Sequence, residues 1–296
     1  MPDAIVTVPP HASFITEVAC HPLVSGLRLN TVMPVKGSLE DTLKRLLDTG
    51  KTIYVDLKCR QLRVRTFGVP PFTEIELTHR IAVETPVTAY FSGGKERATV
   101  LEVDGNRLIM AEGPHRVVGP GESVNIPHPS LRVEGYLTEL DRRYIEAGAR
   151  VGVRDYMLSF VESGRDITEL TALLPEARVV AKIESARGLG YIAAEWDHEA
   201  RLMAARGDLY LEVERPHHIA AALDSIIRTD ASAIVASRLF DSMALHAEPE
   251  SADIMDADAL LRMGYRTFML GDEVCLKRES VLGALNLLEA VAERYA

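Results

Sequence analysis

The sequence predicts an α/β fold: a (β/α)8 TIM barrel with a small all-β lid domain inserted after strand 3. Three observations lead there. Short apolar runs alternate with segments of helical periodicity, in units of the size that a parallel sheet requires. That alternation stops between residues 65 and 129, where only short alternating strands and hairpin turns occur. It then resumes, bringing the strand total to eight, which fits a closed ring better than an open sheet. A chain of 296 residues is accounted for by one barrel of roughly 250 residues plus a small insertion.

A first strand over residues 4–8 ends at Pro9-Pro10, and a short helical stretch leads to a second strand over 26–30. Residues 39–47 have helical periodicity closed by Gly50, and 52–58 form a third strand. The inserted module holds strands over 73–77, 87–91, 98–103 and 107–110, turned at Ser92-Gly93-Gly94 and Asp104-Gly105-Asn106. Pro70-Pro71 and Pro127-His128-Pro129 serve as its hinges, so the lid spans 65–129 and the barrel 1–64 with 130–296. A helix over 137–147, a strand over 155–160 and a helix over 167–174 follow. Strands five to eight cover 177–183, 201–204, 233–236 and 267–270, with helices over 216–228 and 256–263 between the later ones. A helix over 281–295 closes the ring.

Composition narrows the function. Apolar residues make up 47% of the chain, enough for a large core, and the net charge of -10 argues against nucleic acid or an anionic membrane as partner. Cys20, Cys59 and Cys275 lie far apart, suggesting neither a disulfide framework nor a zinc site. There is no signal peptide and no run long enough to span a bilayer, so a cytoplasmic setting is expected. The exposed helices of a bare barrel suit a homo-dimer or homo-tetramer.

Two stretches carry the chemistry. Val180-Ala181-Lys182-Ile183-Glu184 is an apolar strand ending in a lysine and a carboxylate, and Leu202-Met203-Ala204-Ala205-Arg206-Gly207-Asp208-Leu209 reads as a second strand of the same kind. The C-terminal ends of barrel strands are where such folds do chemistry. Lys182 and Glu184, two apart, share one side of their strand. Glu184 and Asp208 could hold one hard cation, and an oxygen pair suits Mg2+ or Mn2+ better than Zn2+. Taken as residue types alone, a lysine and two acids are ordinary structural ion pairs. His217 and His218 read as surface residues, and Asp253, Asp256 and Asp258 as a solvated helix start.

The words around these residues resemble the pyruvate kinase family. Lys182-Ile183-Glu184-Ser185 is similar to its Lys-Ile-Glu-Asn, and Ala205-Arg206-Gly207-Asp208-Leu209 to its Ala-Arg-Gly-Asp-Leu-Gly. Collinear support comes from Arg28-Leu29-Asn30, Asp56-Leu57-Lys58, Val124-Asn125-Ile126-Pro127, Ser159-Phe160, the run from Ala236 to Met243 and Met269-Leu270-Gly271-Asp272-Glu273, the last resembling Met-Leu-Ser-Gly-Glu. The resemblance implies that Glu184 and Asp208 hold a divalent metal, Mg2+ or Mn2+, bridging substrate carboxylate, enol oxygen and phosphate. It implies that Lys182 stabilises the transferring phosphoryl group and the enolate, and that Arg28 holds phosphate. Backbone N–H groups around Arg206, Gly207 and Asp208 would bind the substrate carboxylate, and Ser237 would relay a proton where the family has threonine. Asn30 and Arg63 match positions near the nucleotide, ADP or ATP.

The sequence also departs from that pattern. Val32 and Leu57 replace two oxygen ligands for K+, and Gln61 replaces a glutamate, so the metal–enolate half of the site is kept while the potassium and nucleotide half is eroded. The lid is shorter than the family's, and the sequence stops at Ala296 where the family continues into a regulatory domain. Three functions follow. The first is phosphoryl transfer from phosphoenolpyruvate to ADP through a pyruvate enolate. The second is a metal-dependent lyase, aldolase or decarboxylase acting on a 2-keto acid with the same lysine and acids. The third is a non-catalytic ligand-sensing barrel.

Overall fold

A computed structural model describes residues 1–197 and 200–295; His198, Glu199 and Ala296 lie outside them. The barrel strands are β1 (Asp3–Val6), β2 (Val24–Asn30), β3 (Thr52–Leu57), β4 (Asp155–Leu158), β5 (Arg178–Ile183), β6 (Arg201–Ala205), β7 (Ile234–Ala236) and β8 (Thr267–Leu270). They close in sequential order, each parallel to its neighbours, with β1 completing the ring against β8. Among the described residues no helix is long and apolar enough to cross a membrane.

Strand alternation divides the core in two. Val179, Ala181 and Ile183 of β5 face outward into the layer shared with the helices. Val180 faces inward beside Ile5, Met157, Met203, Ile234 and Met269, which fill the barrel. Two residues beyond Ile5, Met157 and Val180, the same inward face carries Thr7, Ser159 and Lys182, all buried. Arg28 of β2 and Asp56 of β3 belong to this polar layer. The barrel interior is thus apolar at its middle and charged at its C-terminal mouth.

Helix boundaries follow local chemistry. Ser38 caps Leu39–Leu47, its side chain accepting from the Asp41 amide at 3.0 Å. Thr138 and Asp141 form a capping box for Glu139–Val151, which ends at Gly152 with φ 87°. Helix Ala186–Ala194 was not foreseen from the sequence. Gly188 and Gly190 depress its propensity. Yet a Cβ on Gly188 would stand 2.8 Å from the Val161 carbonyl, so close packing demands the glycine. Strand six, expected over 201–204, ends at Ala205, and the run read on to Leu209 turns there into a helix, Arg206–Glu212. The helix expected from 256 begins at Ser251, and its acids are not simply solvated: Asp258 is buried against Arg262, Arg294 and Tyr295.

The inserted module is a five-stranded sheet in the order Glu74–Glu76, Arg107–Met110, Glu96–Asp104, Val87–Phe91, Val124–Asn125, antiparallel throughout. It has its own core, including Ile75, Leu77, Ala89, Phe91, Val100 and Leu108. Leu62 and Val64 pack into it as well.

The chain leaves the barrel for this module through a turn that one carboxylate organises. Cys59, just after β3, has φ 47°. Buried Asp141 accepts from the amides of Lys58 at 2.8 Å and Cys59 at 3.0 Å, as well as from Thr138. Removing that carboxylate leaves buried donors without partners. Asp141→Ala is therefore expected to lower stability by about 3 kcal/mol, read as a shift in the urea unfolding midpoint; a shift below 1 kcal/mol would contradict this role.

Candidate active site

Asp56 stands at the centre of the charged layer, with no solvent exposure. Arg28 Nε donates to its Oδ2 at 2.9 Å and Nη2 reaches the same oxygen. Lys58 Nζ lies 2.8 Å from Oδ2 and Lys182 Nζ 3.2 Å from Oδ1. Burial works against this carboxylate, but Arg28, Lys182 and Lys58 together hold it well below the usual carboxylate range. Burial also disfavours the Lys182 ammonium, and Asp56 and Glu184 overcome that and raise it. Lys58 goes the other way: desolvation outweighs Asp56 and lowers it, with Arg28 and Lys182 adding repulsion.

Lys182 and Glu184 share one side of the strand end, as their spacing predicts. Lys182 Nζ donates to Ser159 Oγ at 2.8 Å and stands 3.2 Å from Glu184 Oε1. Glu184 Oε2 accepts from the Phe160 amide at 2.8 Å, across a left-handed turn where Phe160 has φ 50°. Desolvation raises the Glu184 pKa; Lys182 opposes it and Asp208 adds to it. Two carboxylates of like charge at one mouth are the electrostatic condition that a bound cation relieves.

The sequence-predicted residues converge. Arg28, Asn30, Arg63, Lys182, Glu184, Gly207, Asp208 and Ser237 all line one cavity of about 600 Å³ between the barrel mouth and the lid turn at Ser92, Gly93 and Gly94. Val32 lines it too, while Leu57 is buried in the core, so neither side chain offers oxygen to this space. Arg206 is different. Its guanidinium turns away, bidentate on Asp256 at 2.7 and 2.8 Å and bonded to the carbonyls of Ser237 and Arg238. It thereby braces the turn after β7, where Ser237 and Arg238 have φ 67° and 54°. A Cβ on Gly207 would stand in ordinary contact with the Ser237 side chain at 3.4 Å, so the two segments lie side by side.

Several residues escaped the sequence reading. Asp56 and Lys58 were recognised only as a matching motif, yet Asp56 ties three cations together. Gln61 donates to Asp208 Oδ2 at 2.8 Å and accepts from Arg63 Nε at 3.1 Å, linking a candidate metal ligand to a candidate nucleotide residue. Asp272 pairs with Arg28 at 3.3 Å and with Asn30 at 2.9 Å. A buried acid in an apolar strand was the available signal for Asp56; Gln61 and Asp272 stood out only as departures from the resembled motifs, with no sign of what they pair with.

Glutamate and aspartate oxygens suit a hard divalent cation, and Glu184 and Asp208 are the pair that could hold one. Among the described residues no group of three or more His, Cys, Asp or Glu is placed to hold a metal ion. Farther along the Asp208 helix, Glu212 accepts from Asn125 of the lid sheet at 3.2 Å, bridging barrel and lid. Desolvation pushes Glu212 up to about 8, with the Asn125 hydrogen bond opposing and Asp208 adding. A folded-state pKa above the unfolded 4.5 means the native state keeps its proton longer, so stability falls as pH rises from 4.5 to about 8. Glu212→Gln should lose up to about 5 kcal/mol less stability over that interval than the parent chain, measured by urea unfolding at each pH; identical slopes would contradict it.

Comparison with known proteins agrees with this geometry. The family model for the pyruvate kinase barrel domain matches residues 46–277. A pyruvate kinase of Agrobacterium vitis is 30% identical over 225 residues, covering 73% of this chain and 45% of that protein. One of Methylorubrum extorquens is 28% identical over 210 residues, covering 68% and 42%. One of Borreliella burgdorferi is 24% identical over 209 residues, covering 68% and 43%. This chain thus spans less than half the length of these relatives. With the match extending over residues 46–277, well over half of its length, the chain belongs to the pyruvate kinase family.

Proposed function

We propose that the protein is a pyruvate kinase-like phosphotransferase, moving the phosphoryl group of phosphoenolpyruvate to ADP. The observation that carries this reading is the convergence of Lys182, Glu184, Asp208 and Arg28 on one cavity in a chain of this family. An ADP phosphate oxygen attacks phosphorus, the bond to the enol oxygen breaks, and the resulting enolate takes a proton at its terminal carbon to give pyruvate.

Each residue has a physical task. Glu184 and Asp208 are the pair that would hold Mg2+ or Mn2+, whose charge would offset that of the substrate oxygens. Lys182, kept charged by Asp56 and Glu184, faces the developing charge on the phosphoryl group and enol oxygen. Arg28 holds the phosphoryl oxygens. The amides of Arg206, Gly207 and Asp208 open a helix and lack intrahelical partners, so they can receive the substrate carboxylate. Ser237 Oγ relays the proton through water. Asn30 and Arg63 stand on the nucleotide side. Residues 65–129 act as a lid over the barrel formed by 1–64 and 130–296, excluding water when closed. Val32 and Leu57 at the two oxygen-ligand positions argue against a K+ requirement.

Phosphorus NMR of the protein with phosphoenolpyruvate, ADP and Mg2+ or Mn2+ tests the reading. ATP should form at equal rates with K+ and with tetramethylammonium. Lys182→Ala should lower kcat by roughly 10²–10³-fold. Intact phosphoenolpyruvate at high enzyme concentration would sink the kinase assignment, and oxaloacetate and other 2-keto acids would then be assayed for carbon–carbon cleavage. Independently of turnover, Glu184→Ala and Asp208→Ala should each weaken Mn2+ binding at least tenfold, seen by electron paramagnetic resonance of free Mn2+; unchanged binding would remove both from the metal site.

A further inference from the structure

The guanidinium of Arg28 is already committed. Its Nε and Nη2 go to Asp56, and Nη1 donates to Thr7 Oγ1 at 3.1 Å. On the cavity side, Nη1 meets Asp272 at 3.3 and 3.4 Å. Asn30 Nδ2 donates to the same carboxylate at 3.0 and 2.9 Å. The two acids on Arg28 differ in kind. The Asp56 side chain is 0% exposed and holds three cations, whereas Asp272 is 39% exposed at the cavity wall. Asp272 also opens a four-residue helix, Asp272–Cys275, directly after Gly271. It stands where the motif that the run from Met269 to Glu273 resembles has glycine, so this acid is an addition of the present chain.

We propose that Asp272 is a specificity-determining residue: its carboxylate takes the place on Arg28 and Asn30 that a phosphoryl group would occupy, so phosphorylated ligands bind only by displacing it. The inference rests on the reading of Arg28 as the phosphate-holding group. A carboxylate and a phosphoryl group offer similar oxygen pairs to a guanidinium, and both form strong charge-assisted bonds with it. They cannot share one face of it in a partly buried site without mutual repulsion. The local charge balance acts in the same direction. Arg28, Lys58 and Lys182 stand on this wall against Asp56, Glu184 and Asp272. Removing the Asp272 charge leaves the wall one unit more positive toward a phosphoryl group. The selection acts on phosphorylated ligands alone: pyruvate has a carboxylate but no phosphoryl group, and its affinity is indifferent to Asp272.

The test is binding of inorganic phosphate, phosphoenolpyruvate and pyruvate to the full chain, by calorimetry, for the parent protein, Asp272→Asn and Asp272→Gly. Asp272→Asn keeps the shape and removes the charge; Asp272→Gly restores the family residue, and urea unfolding checks that both variants remain folded. The expected result is at least tenfold tighter binding of phosphate and phosphoenolpyruvate by both variants, with pyruvate affinity changed less than twofold. Unchanged or weaker phosphate and phosphoenolpyruvate binding by folded variants overturns the proposal, as does an equal gain for pyruvate. Tighter phosphate binding without ATP formation by any of the three proteins would leave Asp272 in this role and remove the kinase reading. ATP formation with phosphate affinity indifferent to Asp272 would do the reverse.

Discussion

A single buried carboxylate sets the terms for the rest of this molecule. Asp56 sits without solvent at the mouth of the barrel and binds Arg28, Lys58 and Lys182 at once. Three cations could not be taken out of water here without it, because a buried charge is tolerated only when paired and hydrogen-bonded. The network in turn keeps Lys182 charged, while desolvation lowers the Lys58 pKa despite its contact with Asp56. Its cost is met by the surrounding fold. Outward-facing residues of the same strands pack against the helices, and the apolar layer of Ile5, Met157, Val180 and Met269 lies beneath.

Site geometry depends on strand ends that do not continue as strands. Cys59, Phe160, Ser237 and Arg238 all adopt left-handed backbone angles just past the C-terminal ends of β3, β4 and β7. These conformations are unfavourable for residues with side chains and persist where their surroundings enforce them. Asp141 enforces the first through the Lys58 and Cys59 amides, Glu184 holds the amide at the second, and Arg206 holds the carbonyls at the third. The Arg206 side chain therefore serves as a brace, while Gly207 and Asp208 beside it line the cavity.

The departures from the resembled motifs have a structural counterpart. Val32 and Leu57 bring no oxygen to the cavity, while Gln61 ties Asp208 to Arg63 and Asp272 takes Asn30 and Arg28. The polar groups on this side satisfy one another within the protein. Family membership is thus combined with a site whose anion-facing half is internally neutralised.

The sequence by itself determined the barrel, the inserted sheet and the pairing of Lys182 with Glu184. These rest on local rules: the period of two in strands, the period of helices, and turn residues such as Gly105. Local rules fail where propensity and packing disagree, as in Ala186–Ala194, whose glycines hide a helix that the close approach of Gly188 to Val161 requires. They also did not mark the helix that begins at Arg206 directly after β6, because an apolar run reads alike as strand or as the first turn of a buried helix. Only the tertiary structure decided which charges meet. Asp272 lies 244 positions from Arg28 along the chain, and Asp256 lies 50 from Arg206. Charge pairing depends on distance in space, and closing a ring of eight strands brings residues from opposite ends of the sequence to the same mouth.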